Sequence, residues 1–334
     1  MAASWGIVGH DWAVGLLARS LEAGTIAHAY LISGPRGVGK RTLARTLAQA
    51  LNCLEPPRCG RCRACRLIGR DAHPDVRTLT RPADKKNLGI DEIKELREDA
   101  VLKPLEARRK VYLLREAETL SEPAANALLK TLEEPPPGVV LLLTTTDASL
   151  LLPTVVSRCQ HLRLRPVAWT SVAAHLEAAA GLPRPEAERL ADLAAGRIGW
   201  ALRAAAEPAL LAAREQALAQ LQAALAGSRL ERLRLAAGLA ESWSARQDGV
   251  RETLETWRDW WRGCLLASLG ARGDGPTTEV PAFAGDLTSC WRALARVQQT
   301  LADLDANVHP RLALEALLLA LPRTEAPSAL PRGQ

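Results

Sequence analysis

Residues 34–40 combine three glycines and a lysine at a spacing that few folds can use. The segment reads Gly-Pro-Arg-Gly-Val-Gly-Lys, follows an apolar run and continues into a stretch with helical periodicity. In such a loop, backbone N–H groups at the beginning of a helix hold phosphate oxygens, and the lysine reaches the terminal phosphates. The spacing therefore predicts a strand, a phosphate-binding loop and a helix, with Gly34, Gly37, Gly39 and Lys40 as binding residues.

The residue after the lysine departs from this pattern. A loop that binds a nucleotide together with Mg²⁺ has Ser or Thr there, because the hydroxyl coordinates the metal. This chain has Arg41 and carries Thr42 one position later, where helix geometry turns the side chain by about 100°. We expect both residues to border a site that binds the phosphates of a nucleotide but hydrolyses the nucleotide poorly. ATP or ADP binding within this chain is expected to be weak or absent.

The composition is that of an ordinary globular chain. Its 334 residues are 48% apolar and 24% charged, with a net charge of +6, and suffice for two or three domains. No uninterrupted apolar stretch reaches the roughly 20 residues that span a bilayer, so we predict a cytoplasmic protein. The basic residues are dispersed along the chain, which favours a solvated surface over a dedicated nucleic-acid stripe.

Four of the seven cysteines lie between positions 53 and 65, namely Cys53, Cys59, Cys62 and Cys65. Disulfides are not expected in a cytosolic chain. Two overlapping Cys-x2-Cys spacings and one cysteine upstream allow four thiolates to converge on Zn²⁺. Because four protein ligands leave no open coordination position, we predict a structural zinc ion. A redox pair, free thiols and an iron–sulfur cluster are the alternatives.

The apolar pattern changes near residue 166. Before it, short β-like runs alternate with helical stretches, which predicts a parallel sheet flanked by helices. After it, the sequence is rich in Ala, Leu and Arg with helical periodicity. The predicted strands are 29–33, 111–114 and 139–143, and the predicted helices beside them are 41–52 and 122–133. The predicted domains are an α/β domain over 1–166, a helical lid over 167–207, a second all-α domain over 208–323 and a tail over 324–334.

Three tryptophans, Trp257, Trp260 and Trp261, lie close together in the helical half. Aromatic groups of this kind can stack on single-stranded nucleic acid. Helical spacing places at least two of them on one face, which is more typical of a packing core. We predict packing.

Residues 115 and 116 follow a predicted strand where magnesium-dependent ATPases carry a metal-binding aspartate and a water-orienting glutamate. This chain has Arg115 and Glu116. A guanidinium in place of the aspartate reverses the sign of an interaction worth on the order of 4 kcal/mol at about 4 Å and an effective dielectric near 20. Glu116 would then be a vestigial base. The alternative is that Arg115 and Glu116 form only a surface ion pair.

Further segments occur in a fixed order along the chain. They are residues 126–136 (NALLKTLEEPP), residues 144–147 (TTTD) and the triplet Ser157-Arg158-Cys159. Together with the loop, they resemble the clamp-loader branch of the AAA+ ATPases, and within it the delta-prime subunits of bacterial DNA polymerase III, over essentially the whole chain. Residues 7–10, 73–75 and 307–315 fit the same assignment. The resemblance implies a RecA-like α/β AAA+ domain with a small helical lid, followed by an all-α collar domain.

The resemblance also implies roles for individual residues. Arg158 would project as an arginine finger into the ATP site of the next subunit, and Thr145 would be a first sensor of bound nucleotide. The cysteine cluster resembles the zinc module of the family. Where hydrolysing subunits carry a sensor arginine in the lid, this chain has Gly199. The alternative for Arg158 is a structural arginine that caps a helix or pairs with an acid.

The implied function is that of a rigid, largely non-hydrolysing stator in a clamp loader. The partners would be gamma/tau and delta subunits in a hetero-pentamer, which opens a sliding clamp and loads it on primed DNA. We expect no independent ATPase activity. One alternative is an active gamma/tau-type ATPase, which should have a hydroxyl at position 41 and an aspartate at 115. The other is a zinc-containing DNA-binding module that uses its basic charge.

Overall fold

The computed structural model describes residues 5–82, 85, 87–245, 247–270, 286–306 and 308–323. The chain divides into two compact units: the first contains residues 1–175 and 196–200, and the second contains residues 176–195 and 201–334. The domain boundaries near 166 and 207 stay a prediction. The tail over 324–334 and position 307 of the last predicted segment lie outside the described residues.

Five parallel strands form the sheet of the first unit, in the order β2-β3-β4-β1-β5. The strands are β1 (Ala29–Ser33), β2 (Val76–Leu79), β3 (Lys110–Leu114), β4 (Val139–Thr145) and β5 (Gln160–Arg163). Strands β1, β3 and β4 are buried along their whole length, as expected for central parallel strands that are covered on both faces. The prediction of an α/β fold with a parallel sheet is therefore confirmed.

Helices cover both faces of this sheet. In the first unit they are α1 (Asp11–Glu22), α2 (Lys40–Asn52), α3 (Arg63–Gly69), α4 (Ile90–Val101), α5 (Glu122–Glu133) and α6 (Pro153–Val156). Side chains alternate between the faces along a strand, so Tyr30 and Ile32 join the core under α1 and α2, whereas Leu31 joins the core under α4 and α5. The predicted phosphate-binding loop adjoins the first of these faces, because α2 follows the loop directly.

The remaining described elements are all helical, as predicted. They are α7 (Trp169–Ala180), α8 (Arg184–Ala194), α9 (Ile198–Ala206), α10 (Pro208–Ala226), α11 (Arg229–Ala245), α12 (Gln247–Ser268), α13 (Leu287–Asp305) and α14 (Pro310–Ala320). Among the described helices, none is long and apolar enough to cross a lipid bilayer.

The tryptophans of α12 belong to the core of the second unit. Trp257 and Trp261 are fully buried, and the indole N–H of Trp257 donates to the carbonyl of Ala217 in α10 at 2.7 Å. Trp260 meets Trp261 edge to face, with ring centroids 4.7 Å apart. The prediction of packing is confirmed, and the two buried rings have no face free for stacking on a base.

Arg232 of α11 connects the ends of two other helices in the second unit. Its side chain is buried, and its guanidinium donates to five backbone carbonyls at 2.6–3.3 Å. The acceptors, which terminate α10 and α14, are Ala224, Leu225, Leu318, Leu321 and Pro322. Carbonyls in the last turn of a helix lack intrahelical donors, and a cation is favoured at this end of the helix dipole. One side chain therefore satisfies two helix ends.

We expect the Arg232→Met variant to lower the free energy of unfolding of the second unit by about 3 kcal/mol, because buried carbonyls lose their donors. Denaturation followed by tryptophan fluorescence measures this change, since Trp243, Trp257 and Trp261 report on the core of this unit. Arg234→Met, at an exposed position of the same helix, is the matched control. Equal stability of the two variants would contradict the role of Arg232.

Candidate functional site

The glycine-rich segment forms the predicted strand, loop and helix. Strand β1 ends at Ser33, and α2 begins at Lys40 with Gly39 as its N-cap in the left-handed region at φ 111°. Gly34 has φ 147°, and a Cβ atom added to it would lie 2.5 Å from the carbonyl oxygen of Leu164. The loop therefore begins with a close backbone approach that excludes any side chain.

We expect Gly34→Ala to lower the free energy of unfolding of the first unit by more than about 2 kcal/mol, because backbone strain and a clash with a backbone oxygen add together. Gly24→Ala is the control, since Gly24 also has positive φ (69°) but has no atom within 4 Å of an added Cβ. Chemical denaturation followed by circular dichroism compares the two. Equal losses would mean that the approach to Leu164 is not the constraint.

Polar contacts within the protein hold the loop in shape. The ammonium group of Lys40 donates to the carbonyls of Gly34 and Pro35, the second at 2.9 Å. Nε2 of the buried His10 lies 2.9 Å from the carbonyl oxygen of Val38. The residue predicted to reach phosphates thus contacts the backbone of its own loop.

The segment Gly196–Trp200 packs directly on the loop. The N–H of Gly199 donates to the carbonyl of Gly37 at 2.7 Å, and a Cβ atom at position 199 would lie 3.0 Å from the same oxygen. Arg197 and Trp200 beside it are buried, with the guanidinium 5.7 Å from the indole ring centroid. Gly199, at the position predicted for a sensor arginine, therefore permits close contact between the two backbones.

The charged groups around the loop pair with one another. Arg41 forms an ion pair with Asp71 at 2.6 Å, and Thr42 after it is exposed. Arg36 approaches Glu116 at 3.7 Å, so the acid predicted as a vestigial base faces a cation of the loop. These side chains are about one third or more exposed, and such pairs contribute roughly 0.2–1 kcal/mol each. They reduce the positive charge that the loop offers to an anion.

The carboxyl end of β4 lies beside the loop. Ser33 and Thr145 are partners in the parallel register of β1 and β4, and the N–H of Gly34 donates to the carbonyl of Thr145 at 3.2 Å. The Thr145 hydroxyl donates to the carbonyl of Asp147 at 2.8 Å. Thr144 accepts the N–H of Glu116 at 3.3 Å. The structure thus brings Thr145 and Glu116 together with Gly34, Gly37, Gly39 and Lys40.

Arg158 lies on the turn after α6 and takes no part in the contacts described for the loop. Its Nη1 donates to the carbonyl of Thr154 at 2.9 Å, and its Nη2 lies 2.7 Å from Oε1 of Glu133, the last residue of α5. The side chain of Arg158 is 34% exposed. The guanidinium is therefore at the surface and ion-paired.

The four clustered cysteines converge. Their sulfur atoms all lie within 4.8 Å of one another, and those of Cys53 and Cys59 are 3.6 Å apart. Tetrahedral thiolate ligands with metal–sulfur bonds of about 2.3 Å have sulfur atoms about 3.8 Å apart. Backbone N–H groups of Cys59, Cys62 and Cys65 donate to Cys53, Cys59 and Cys62 respectively, at 3.2–3.4 Å. The cluster can hold a metal ion, and three of its four sulfur atoms receive backbone hydrogen bonds that stabilise thiolates.

Burial and hydrogen bonding together set the pKa of the clustered thiol groups. Burial alone would raise the pKa of Cys62, but hydrogen bonds from the N–H groups of Cys65 and Leu54 and with the thiols of Cys65 and Cys59 together lower that pKa. Burial raises the pKa of Cys65. A cation would favour the thiolate form of all four groups, because only the thiolate is a metal ligand.

The cysteine cluster is fixed to the rest of the first unit by polar side chains. The amide of Gln49, buried in α2, donates to the carbonyl of Cys65 at 2.8 Å and accepts from Arg58 at 2.9 Å. Arg63 of α3 forms an ion pair with Glu106 in the loop before β3. These contacts orient the backbone that carries the four cysteines.

Comparison with known proteins decides the family. The profile of a family described as "DNA polymerase III, delta subunit" matches residues 9–168. DNA polymerase III subunit delta' of Pseudomonas aeruginosa is 36% identical over 307 residues, which cover 88% of this chain and 91% of that protein. The chain belongs to the DNA polymerase III subunit delta' family.

Other similarities of this delta' family member cover less or are weaker. DNA polymerase III subunit tau of Escherichia coli is 36% identical over 174 residues, which are 51% of this chain and 27% of that protein. Among solved structures, a DNA polymerase III gamma subunit-related protein of Thermotoga maritima is 20% identical with a TM-score of 0.44, covering 91% of this chain and 97% of that one. The RuvB branch migration motor of the same organism is 17% identical, also with a TM-score of 0.44, covering 83% and 87%.

Several contacts of this delta' family member were not predicted from the sequence. Asp71, Glu133 and Gln49 are partners of predicted site residues, and Asp71 and Gln49 lie outside the motifs described above. Glu133 is part of the segment NALLKTLEEPP, but the segment alone does not reveal which of its acids faces Arg158. Such partners depend on how separate elements meet in the fold.

Proposed function

We propose that this delta' family member is a clamp-loader subunit of DNA polymerase III in DNA replication. It would work with gamma/tau and delta subunits in a hetero-pentamer that uses ATP to load a sliding clamp on primed DNA. Similarity to a delta' subunit along 88% of the chain supports this assembly role. The residues around its own loop support a part in the assembly that does not include ATP hydrolysis.

Three positions support weak or absent nucleotide chemistry within this chain. Arg41 stands where Mg²⁺ needs a hydroxyl and pairs with Asp71. Arg115 follows β3 where a metal-binding aspartate is needed. Gly199 supplies no cation and contacts the backbone of Gly37. Magnesium held between positions 41 and 115 would face two guanidinium groups and no oxygen ligand from either.

Arg158 is the residue proposed to act on the neighbouring subunit. An arginine finger must reach the γ-phosphate of another chain, where it stabilises the negative charge that develops in the transition state. The partly exposed guanidinium after α6, in a chain whose own loop lacks the hydroxyl at position 41, is the observation that carries this proposal. Glu116 would be a vestigial base that pairs with Arg36.

In a clamp loader reconstituted from the full-length subunits, we expect Arg158→Ala to abolish hydrolysis at the one neighbouring site that it serves. A finger contributes roughly 10³–10⁵ in rate at its own site, so the steady-state ATPase falls at least by the share of that site. Arg77→Ala is the matched control, because Arg77 is also exposed and ion-paired. Arg77 lies on β2, whereas Arg158 directly precedes β5 at the opposite edge of the sheet.

An unchanged ATPase rate with Arg158→Ala would remove the role in trans. The isolated chain provides a second check on the proposal. Magnesium-dependent turnover by the isolated wild-type chain that disappears in Lys40→Ala would identify an active ATPase instead. Salt-dependent binding of primed DNA by the isolated chain would favour the DNA-binding module.

We also propose that Cys53, Cys59, Cys62 and Cys65 hold a structural Zn²⁺ ion. Four thiolates with no open position suit zinc in a structural role, and the convergence of the sulfur atoms supports it. Bound metal would join the chain after α2 to α3 and so stabilise the first unit.

We expect one zinc ion per chain in protein purified under reducing conditions, measured by inductively coupled plasma mass spectrometry. Cys65→Ser should reduce the zinc content and lower the melting temperature, because a three-thiolate site binds less tightly and metal binding contributes to folding. Cys159→Ser, a cysteine outside the cluster, should retain the metal. Iron with acid-labile sulfide, or equal zinc content in both variants, would contradict the assignment.

A further inference from the structure

Among the ion pairs of the described residues, Arg158 has one acidic partner, Glu133. Its Oε1 lies 2.7 Å from Nη2 of Arg158, while Nη1 donates to the carbonyl of Thr154 at 2.9 Å. The two contacts hold both ends of the planar guanidinium fork, one from α5 and one from α6. Arginine has several rotatable bonds, so a finger without such contacts would spread over many rotamers.

The position of Glu133 in its helix makes a cationic partner favourable. It is the last residue of α5, where unsatisfied carbonyls carry partial negative charge, and the exposed Glu134 follows as the C-cap. A carboxylate at this end of a helix is electrostatically disfavoured. The guanidinium of Arg158 and the ammonium of Lys130 in the last turn supply the compensating charge.

The pair is accessible enough to be reorganised by a partner. The Arg158 and Glu133 side chains are 34% and 49% exposed, so water and salt screen their attraction. Such a contact restricts the orientations of a side chain without fixing it irreversibly. A triphosphate on another subunit carries more negative charge than one carboxylate and can compete for the outward part of the guanidinium.

We infer that Glu133 is a positioning residue for Arg158, which orders the guanidinium at the end of α5 before it meets the nucleotide of the neighbouring subunit. This inference rests on the proposed function of Arg158 in trans. It assigns to Glu133 no contact with the nucleotide, so its whole effect passes through Arg158.

The test measures the ATPase rate of the clamp loader reconstituted from the full-length subunits. Both ATP and the delta' family member are present at saturating concentrations. Glu133→Gln keeps the size of the side chain and removes its charge. An exposed ion pair changes a population by about two- to fivefold, so we expect hydrolysis at the one site that Arg158 serves to slow by that factor. The total kcat should therefore fall by less than it does with Arg158→Ala, while the concentration for half-maximal assembly stays the same. Glu134→Gln removes the adjacent exposed charge and should leave kcat unchanged.

The same substitution in an Arg158→Ala background isolates the route of the effect. Glu133→Gln should cause no further loss there, whereas a general structural effect would persist. An additional loss in that background, an increase in kcat, or equal rates for the Glu133 and Glu134 variants would overturn the inference. If Arg158→Ala itself has no effect, the proposed function fails; if only Glu133→Gln has none, the positioning role fails alone.

Discussion

Parallel pairing of β3, β4 and β1 is the constraint on which the candidate site depends. In this register Ser33 lies opposite Thr145, and Leu114 lies opposite Leu143, so three strands end side by side. In a parallel sheet, the carboxyl ends of all strands lie on the same side, and ligand sites of open α/β sheets form outside these ends. The glycine loop, the adjacent residues Arg115 and Glu116, and Thr145 are therefore neighbours in space although they are far apart in sequence.

Within this arrangement, the side chains predicted to bind or border phosphates contact other groups of the protein. Lys40 contacts loop carbonyls, Arg36 faces Glu116, and Arg41 pairs with Asp71. An anion entering the loop would have to compete with these contacts. The retained loop thus also has a structural use, since Gly37 accepts the N–H of Gly199.

The sequence predicted the elements whose signal is local. The central strands are continuous apolar runs, and the glycine loop and the cysteine cluster are encoded by spacing, so each was found at the expected place. Strands β2 and β5 were missed, because each has only four residues, lies at a sheet edge and exposes part of its length. The partners Glu133 and Asp71 were missed for another reason: each meets its arginine only through tertiary packing, which no spacing rule encodes.

In mechanical terms, α2 is a rod of about 20 Å that is anchored at both extremities. Its N-terminal end follows the loop that contacts His10 and Gly199. Near its C-terminal end, Gln49 donates a hydrogen bond to the carbonyl of Cys65 in the cysteine segment. Sliding or rotation of the rod would break contacts at both anchors at once. A displacement of the loop would consequently be felt at the cysteine segment, about 20 Å away along α2.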